Sequence, residues 1–430
     1  MLGAFANAFR TPDLRRKLLF VLFIVVIFRL GSQVPMPGVN VQQVHACLEG
    51  QTGTLYSLIN LFSGGALLQL TIFALGIMPY ITASIILQLL TVVIPRLDAL
   101  RKEGQSGQAK ITQYTRYLTL ALAVLQGTGI VALARGGNLL QGCDNILYSP
   151  DSFNAALVMV FVMTAGTAVI MWLGELITDR GIGNGMSILI FCQVIATFPA
   201  ELWQVQKTKG MGVFIGIIVV GFAIIAAVVF MEQAQRRIPV QYARRMVGRK
   251  MFGGSSTYIP LKVNQAGVIP VIFASSLLYL PAMAVQFGGD SKNEVLTWIS
   301  RHLVTGDHPL YMAAYVLLVI FFTYFYVAIT FNPEEVADNM KKYGGFIPGI
   351  RAGRPTQEYL QYVLSRITLP GALYLAFVAL IPLIALKLVN ATQNFPFGGT
   401  SILIMVGVAL DTVKQIESQL QQRNYEGFLR

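Results

Sequence analysis

Long apolar runs dominate this chain, separated by short polar connections. They recur at residues 18–34, 70–93, 115–134, 153–173, 183–198, 211–231, 267–287, 310–331, 367–388 and 400–410. Most approach the ~20 residues that an α-helix needs to cross the hydrocarbon layer of a bilayer. The fifth and tenth runs are short, which predicts helices lengthened by weakly polar flanks or held among other helices. The pattern predicts an all-α integral membrane protein of about ten transmembrane helices.

Composition fits that solvent. Of 430 residues 55% are hydrophobic and 12% charged, against about 25% charged in an ordinary soluble domain. The amino terminus is basic, and the first apolar run reaches Arg29 and Pro35 without a small-residue cleavage pattern. It is therefore expected to remain as a span. Cys47, Cys143 and Cys192 have no metal-ligand spacing, and the sequence leaves open whether Cys47 and Cys143 pair.

The formal net charge of +12 would point to nucleic acid in a soluble protein, but here its distribution matters more than its sum. With the amino terminus inside, the inside connections hold 24 Lys and Arg and the outside connections 6. That asymmetry predicts both termini in the cytoplasm. Two inside connections are long. Residues 232–263 carry Arg236, Arg237, Arg244, Arg245, Arg249 and Lys250, with strand-like stretches at 240–244 and 258–262 around Gly253-Gly254, the pattern of a protruding hairpin. Residues 331–366 carry Lys341, Lys342, Arg351 and Arg354 among glycines and prolines. Two readings stand for these charges: contact with anionic lipid headgroups, or a docking surface for a cytoplasmic partner. The excess of basic residues over what orientation needs favours docking. Direct DNA binding is not expected.

No catalytic constellation is evident. His45, His302 and His308 all fall in outside connections, and there is no HExxH or CxxC. Neither 181–185 nor 104–107 has the spacing of a nucleotide-binding glycine loop. The sequence predicts neither an enzyme nor a cofactor. Apart from Arg29, Arg116, Glu175 and Glu232 near the ends of runs, the spans hold almost no ionisable residue, which weighs against an ion-coupled solute transporter. An intramembrane enzyme would also need polar catalytic groups that these runs lack.

The stretch 61–70 is too short to span and too apolar for open water. It reads either as an extension of the second span or as a re-entrant half-helix filling a cavity, since irregular structure at membrane depth must be buried in protein or line a void. The half-helix is the favoured reading. Ten spans divide five and five near residue 205, and an odd number would place the second half upside down relative to the first. Ile81 with Ile85, and Met186 with Ile190, recur at i, i+4 and so share a helix face. By themselves such pairs mark packing or lipid contact.

Taken together, several strings resemble the SecY family, whose members form the centre of a protein-translocation channel. They are Phe62-Ser63-Gly64-Gly65-Ala66 with Gly76-Ile77-Met78-Pro79-Tyr80-Ile81, Glu103-Gly104-Gln105-Ser106-Gly107 with Gln113-Tyr114-Thr115-Arg116-Tyr117, and Arg180-Gly181-Ile182-Gly183-Asn184-Gly185. Further on come Gln235-Arg236-Arg237, Leu261-Lys262-Val263-Asn264 with Ala266-Gly267-Val268-Ile269-Pro270, Phe331-Asn332-Pro333, Phe346-Ile347-Pro348-Gly349-Ile350-Arg351 and Phe397-Gly398-Gly399-Thr400-Ser401. They are collinear, cover nearly the whole chain and look bacterial in type.

The resemblance implies a cytoplasmic segment at 1–17, a first half at 18–205, a second half at 206–410 and a cytoplasmic tail at 411–430, the halves closing around a central pore. It implies a plug formed by Phe62, Ser63, Gly64, Gly65, Ala66, Leu67 and Leu68, and a pore ring of Ile81, Ile85, Met186, Ile190, Ile272 and Ile404. Met186 departs from the commoner isoleucine and keeps the ring apolar. A lateral gate between the second and seventh spans would include Gln88, Gln126, Asn264, Gly267 and Pro270, although interhelical glue is the ordinary role of such polar side chains. Docking would use Arg236, Arg237, Arg249, Lys250 and Arg351. The expected partners are SecE and SecG membrane subunits, the SecA ATPase, the ribosome, unfolded preproteins and signal sequences, and anionic lipids. The expected location is the cytoplasmic membrane. Reporter fusions test the topology: those at Gly253 and Gly353 should be active on the cytoplasmic side, and those at Asn138 and Gly289 on the outer side. Reversal at any of the four breaks the ten-span arrangement.

Overall fold

The computed structural model describes residues 11–48, 70–135, 146–148, 152–242, 245–247, 250–252, 256–287, 298–299, 302–303, 308–389 and 399–426. In chain order its helices are α1 Pro12–Gly31, α2 Val41–Leu48, α3 Met78–Val93, α4 Pro95–Lys102, α5 Gln105–Arg135, α6 Phe153–Arg180, α7 Gly185–Lys209 and α8 Met211–Gln233. Four strands follow: β1 Gln235–Tyr242, β2 Arg245–Val247, β3 Lys250–Phe252 and β4 Ser256–Lys262. The chain continues with α9 Ile269–Phe287, α10 Pro309–Thr330, α11 Pro333–Lys342, β5 Gly345–Phe346, α12 Arg354–Val389 and α13 Gly399–Glu426.

Each apolar run of the sequence contains one of these helices. Four segments among the described residues are long and apolar enough to cross a membrane unaided: Phe153–Arg180, Phe214–Gln233, Pro309–Lys342 and Arg354–Ile381. A fifth arises if α3 and α4 count as one broken span, bent by 100°. The break has a local cause. Pro95 disfavours the helical region for the residue before it, and Ile94 is extended at φ −100° and ψ 110°. Outward-facing positions remain apolar, as Ile215, Val219, Phe222 and Phe230 on α8 show. Side chains of this kind need a hydrocarbon solvent.

Several boundaries differ from those read in the sequence. The second run was expected to be helical from Leu70, but α3 begins only at Met78. Leu70 is buried with φ +49°, and Thr71 forms an isolated antiparallel bridge with Pro35, so this short piece is tied to the chain after α1. The helix of the ninth run, α12, begins at Arg354, well inside the connection assigned to 331–366, and α13 continues into the tail expected at 411–430 as far as Glu426. In these last two cases the polar flanks still favour helix, and length beyond the bilayer costs nothing where water satisfies the side chains.

A hairpin forms in 232–263 as expected, but its first strand is Gln235–Tyr242 rather than 240–244 and its tip falls between Val247 and Lys250 rather than at Gly253-Gly254. β1 and β4 pair antiparallel from Gln235–Lys262 to Gln241–Ser256, and β2 pairs with β3 nearer the tip. The sequence treated the two long inside connections as separate, but the structure joins them. β5 adds to β1, giving the order β4-β1-β5. Ile238, Val240 and Leu261 of the hairpin form one core with Met340 of α11, Ile347, and Leu360 and Val363 of α12. Strand alternation decides which residues enter it: Ile238 and Val240 point inward, while Pro239 between them and Arg237 and Gln241 on either side point out.

The amino-terminal end of α7 is set against α6. The Thr178 Oγ1 of α6 accepts a hydrogen bond from the Gly185 N–H at 2.9 Å, and Asn184 Oδ1 caps the helix by accepting from the Met186 N–H at 3.1 Å. A Cβ at Gly185 would be driven into the carbonyl oxygen of Gly174. Gly185→Ala is therefore expected to push α7 off α6 and cost about 1–3 kcal/mol, as overpacking typically does. A lowered Tm of the purified protein checks this; an unchanged Tm contradicts the close approach.

Candidate functional site

The expected pore residues lie on four helices far apart in sequence: Ile81 and Ile85 on α3, Met186 and Ile190 on α7, Ile272 on α9 and Ile404 on α13. The fold brings them to one place. Met186, Ile190, Ile272 and Ile404 belong to a single buried apolar cluster, with Ile81 half-buried against it. Ile85 belongs to the adjoining cluster, and Ile81, one turn away on the same face, packs against both. The five other than Ile81 are each no more than 8% exposed. The i, i+4 pairs that were uninformative in the sequence thus meet residues from both halves of the chain. Gly174 on α6 faces the Met186 side chain, so a neighbour without a side chain accommodates the longer methionine.

Around this cluster the packing is uneven. α3 packs along α5, α5 along α6, and α10 along both α9 and α12, whereas α9 touches α3 and α5 only sparsely. The seam expected to open laterally is therefore among the thinly packed ones. The five residues assigned to it are placed less uniformly. Gln88 on α3 is exposed rather than buried, and Gln126 on α5 is half-buried. Asn264 is buried, but it stands in the turn before α9 rather than on a helix. Gly267 lies in the same turn at φ +63°, and Pro270 is the second residue of α9. At the first turn a proline's missing N–H has no partner to lose, so Pro270 does not bend the helix. Pro281 is the proline inside α9.

The plug positions Phe62, Ser63, Gly64, Gly65, Ala66, Leu67 and Leu68 lie outside the described residues, as does Arg249. Lys250 is placed in β3 by its backbone. Arg236 and Arg237 are exposed on β1, and the Arg237 guanidinium lies 4.9 Å from the Tyr258 ring centroid on β4. This stacking holds the charge outward on a stiff ribbon. Arg351 is exposed in the turn before α12, between Gly349 at φ +85° and Gly353 at φ +106°, and its carbonyl accepts from Thr356 Oγ1 at 2.9 Å. The joint core of hairpin, α11 and α12 makes one basic module of these separate segments.

Two interactions were not anticipated. The sequence places Arg116 and Glu175 only near the ends of apolar runs, but Arg116 Nε donates to Glu175 Oε1 at 2.8 Å and links α5 to α6. Glu232 is likewise placed only near the end of a run, yet it is buried and accepts a hydrogen bond from Asn264 Nδ2. The only sequence signal was a carboxylate at the end of an apolar run, which does not say which neighbour it meets.

A family model described as SecY matches residues 71–413. The chain is 66% identical to the protein translocase subunit SecY of Streptomyces galbus and 60% identical to that of Mycobacterium leprae (strain TN), in each case over the whole of both chains. Its fold is similar to a solved structure described as that of a protein conducting channel, with a TM-score of 0.64 at 18% identity, covering 93% of this chain and 91% of that one. It is also similar to Sec61 in a canine ribosome-channel complex from the endoplasmic reticulum, with a TM-score of 0.61 at 18% identity and the same coverage. The matched stretch contains every candidate ring residue, both basic connections and the thin seam. This chain belongs to the SecY family.

Proposed function

We propose that this chain is the pore-forming subunit of a protein-conducting channel, moving unfolded preproteins across the cytoplasmic membrane and releasing apolar segments sideways into it. The observation that carries the reading is the meeting of five apolar side chains from four helices, with Ile85 one turn away in the adjoining cluster, beside a thinly packed seam. The relatives named as translocase subunits support it. Residues 18–205 and 206–410 act as the two halves, with the stretch 61–70 as plug. The channel works with SecE- and SecG-type membrane subunits and is driven by an ATPase of the SecA type or a translating ribosome. The channel itself carries out no catalysis.

A conduit for chains of any sequence must leak few ions at rest. Charged or polar rings would bind ions and retain oppositely charged stretches of substrate. A narrow apolar neck instead dewets, and an ion entering it loses hydration with nothing in return. Ile81, Ile85, Ile190, Ile272 and Ile404, with the softer Met186, part around a chain and close again without breaking any specific bond. The ring therefore seals without selecting. Beside it, movement of α9 away from α3 and α5 disturbs few contacts, so a sufficiently apolar segment entering the seam replaces what is lost.

The seal is tested by planar-bilayer conductance of the Ile85→Asn, Ile190→Asn, Ile272→Asn triple variant beside a Leu triple at the same positions. The Asn triple should raise the resting conductance severalfold while the Leu triple stays near the parent. Equal, low conductance in both overturns the ring.

Arg351 is proposed to receive the driving partner, because its planar guanidinium offers paired donors to a carboxylate surface. Arg351→Glu should slow ATPase-driven translocation while the protein still accumulates in the membrane. Translocation at the parent rate removes Arg351 from the docking surface.

A further inference from the structure

Glu232 is the one charged side chain that is buried among the described residues, at 8% exposure. A carboxylate removed from water is costly unless hydrogen-bonded, so what meets it bears on its purpose. It stands on the last turn of α8, directly before the basic hairpin, and its Oε1 accepts from Asn264 Nδ2. The same Asn264 amide donates to the Gly267 carbonyl at 3.0 Å. Both partners are acceptors, which fixes the amide orientation with nitrogen toward them. Between these groups the Val263 N–H donates to the Ala234 carbonyl at 3.0 Å, carrying the β1–β4 ladder one step past Gln235–Lys262.

The turn from Lys262 to Val268 is thus held from several sides. Glu232 binds it to α8, and a Cβ at Gly371 of α12 would collide with the Val263 carbonyl. Lys262 Nζ lies 3.8 Å from Asp411 Oδ1 of α13. One residue beyond this grip α9 begins, and on it Ile272 reaches the ring. The helix that touches α3 and α5 so sparsely is fastened at its cytoplasmic start. The fastening shares its backbone with the hairpin's base.

We propose that Glu232 is a positioning residue of the lateral seam: through Asn264 it holds the start of α9 against α8, and so sets how apolar a segment must be to move α9 aside. The inference rests on the channel reading above. A hydrogen bond to a charged group of this kind shifts a two-state equilibrium by roughly tenfold or more. With the latch weakened, α9 leaves its closed position more readily, and substrates whose signal segments are too polar to open the parent channel gain passage.

The test uses the full chain assembled with its membrane subunits and ATPase in vesicles, and compares an intact preprotein with one whose signal core carries a charge. The readout is the ratio of the two transport rates. Glu232→Ala should raise the rate for the defective substrate about tenfold relative to the intact one. Glu232→Gln, which keeps an acceptor oxygen, should stay near the parent ratio. Asn264→Asp sets carboxylate against carboxylate and should relax discrimination as Glu232→Ala does. The exchange Glu232→Gln with Asn264→Asp restores a donor–acceptor link and should return the ratio toward the parent. If Glu232→Ala fails to accumulate, the Asn264→Asp variant and the exchange carry the comparison alone. A parent-like ratio in Glu232→Ala, or an exchange no better than Asn264→Asp, overturns the positioning role. Failure of the parent channel to transport the intact preprotein overturns the channel reading instead.

Discussion

In hydrocarbon an unpaired peptide group has no water to turn to, and each one costs several kcal/mol. The rest of this architecture depends on that constraint. It forces the apolar runs into helices, which satisfy their own backbones, and leaves side chains to decide how the helices meet. Where the chain departs from helix, other groups take over the pairing. The short piece at Leu70–Ile77 bonds back to the chain after α1, as in the Ile72 N–H to Val34 carbonyl bond of 3.0 Å. The turn at Val263–Val268 uses a buried carboxylate and amide instead.

The same constraint separates two kinds of interior. The cluster around Met186, Ile272 and Ile404 is made of apolar side chains that form no directional bonds. The module beneath it is built the other way. A three-stranded sheet and two helices share the core of Ile238, Val240, Leu261, Met340, Ile347, Leu360 and Val363, and they present arginines outward from a stiff frame. The α8–α9 turn, with Glu232 and Asn264, is where the two are joined.

Much of this was legible in the chain. Apolar runs 18–34 through 400–410 each hold a helix, because burying twenty apolar residues in a bilayer outweighs any local preference. The hairpin was legible because strand alternation is a local signal, although its tip falls between Val247 and Lys250 rather than at Gly253-Gly254. Boundaries were less so. α12 extends back to Arg354 and α13 on to Glu426, since a helix does not stop where the membrane does. The polar gate residues were the least legible. Gln88 faces outward and Asn264 lies off the helix, because burial of a single polar side chain depends on which neighbour approaches it.

Period, hydropathy and charge act along the chain or against the solvent, so the sequence by itself determined the helices and the basic stretches and set the orientation expected in a membrane. Short strings spread over nearly the whole length were enough to point to the family. What only the tertiary structure decided are the meetings between distant residues. Ile81 with Met186, Ile272 and Ile404, the two inside connections in one sheet, Arg116 with Glu175, and Glu232 with Asn264 all join segments that nothing local relates. An isoleucine carries no label for its partner, and a lone carboxylate at the end of an apolar run has water as its default neighbour. Packing alone, by closing one helix over another, gathers the first into an apolar cluster and gives the second an amide partner.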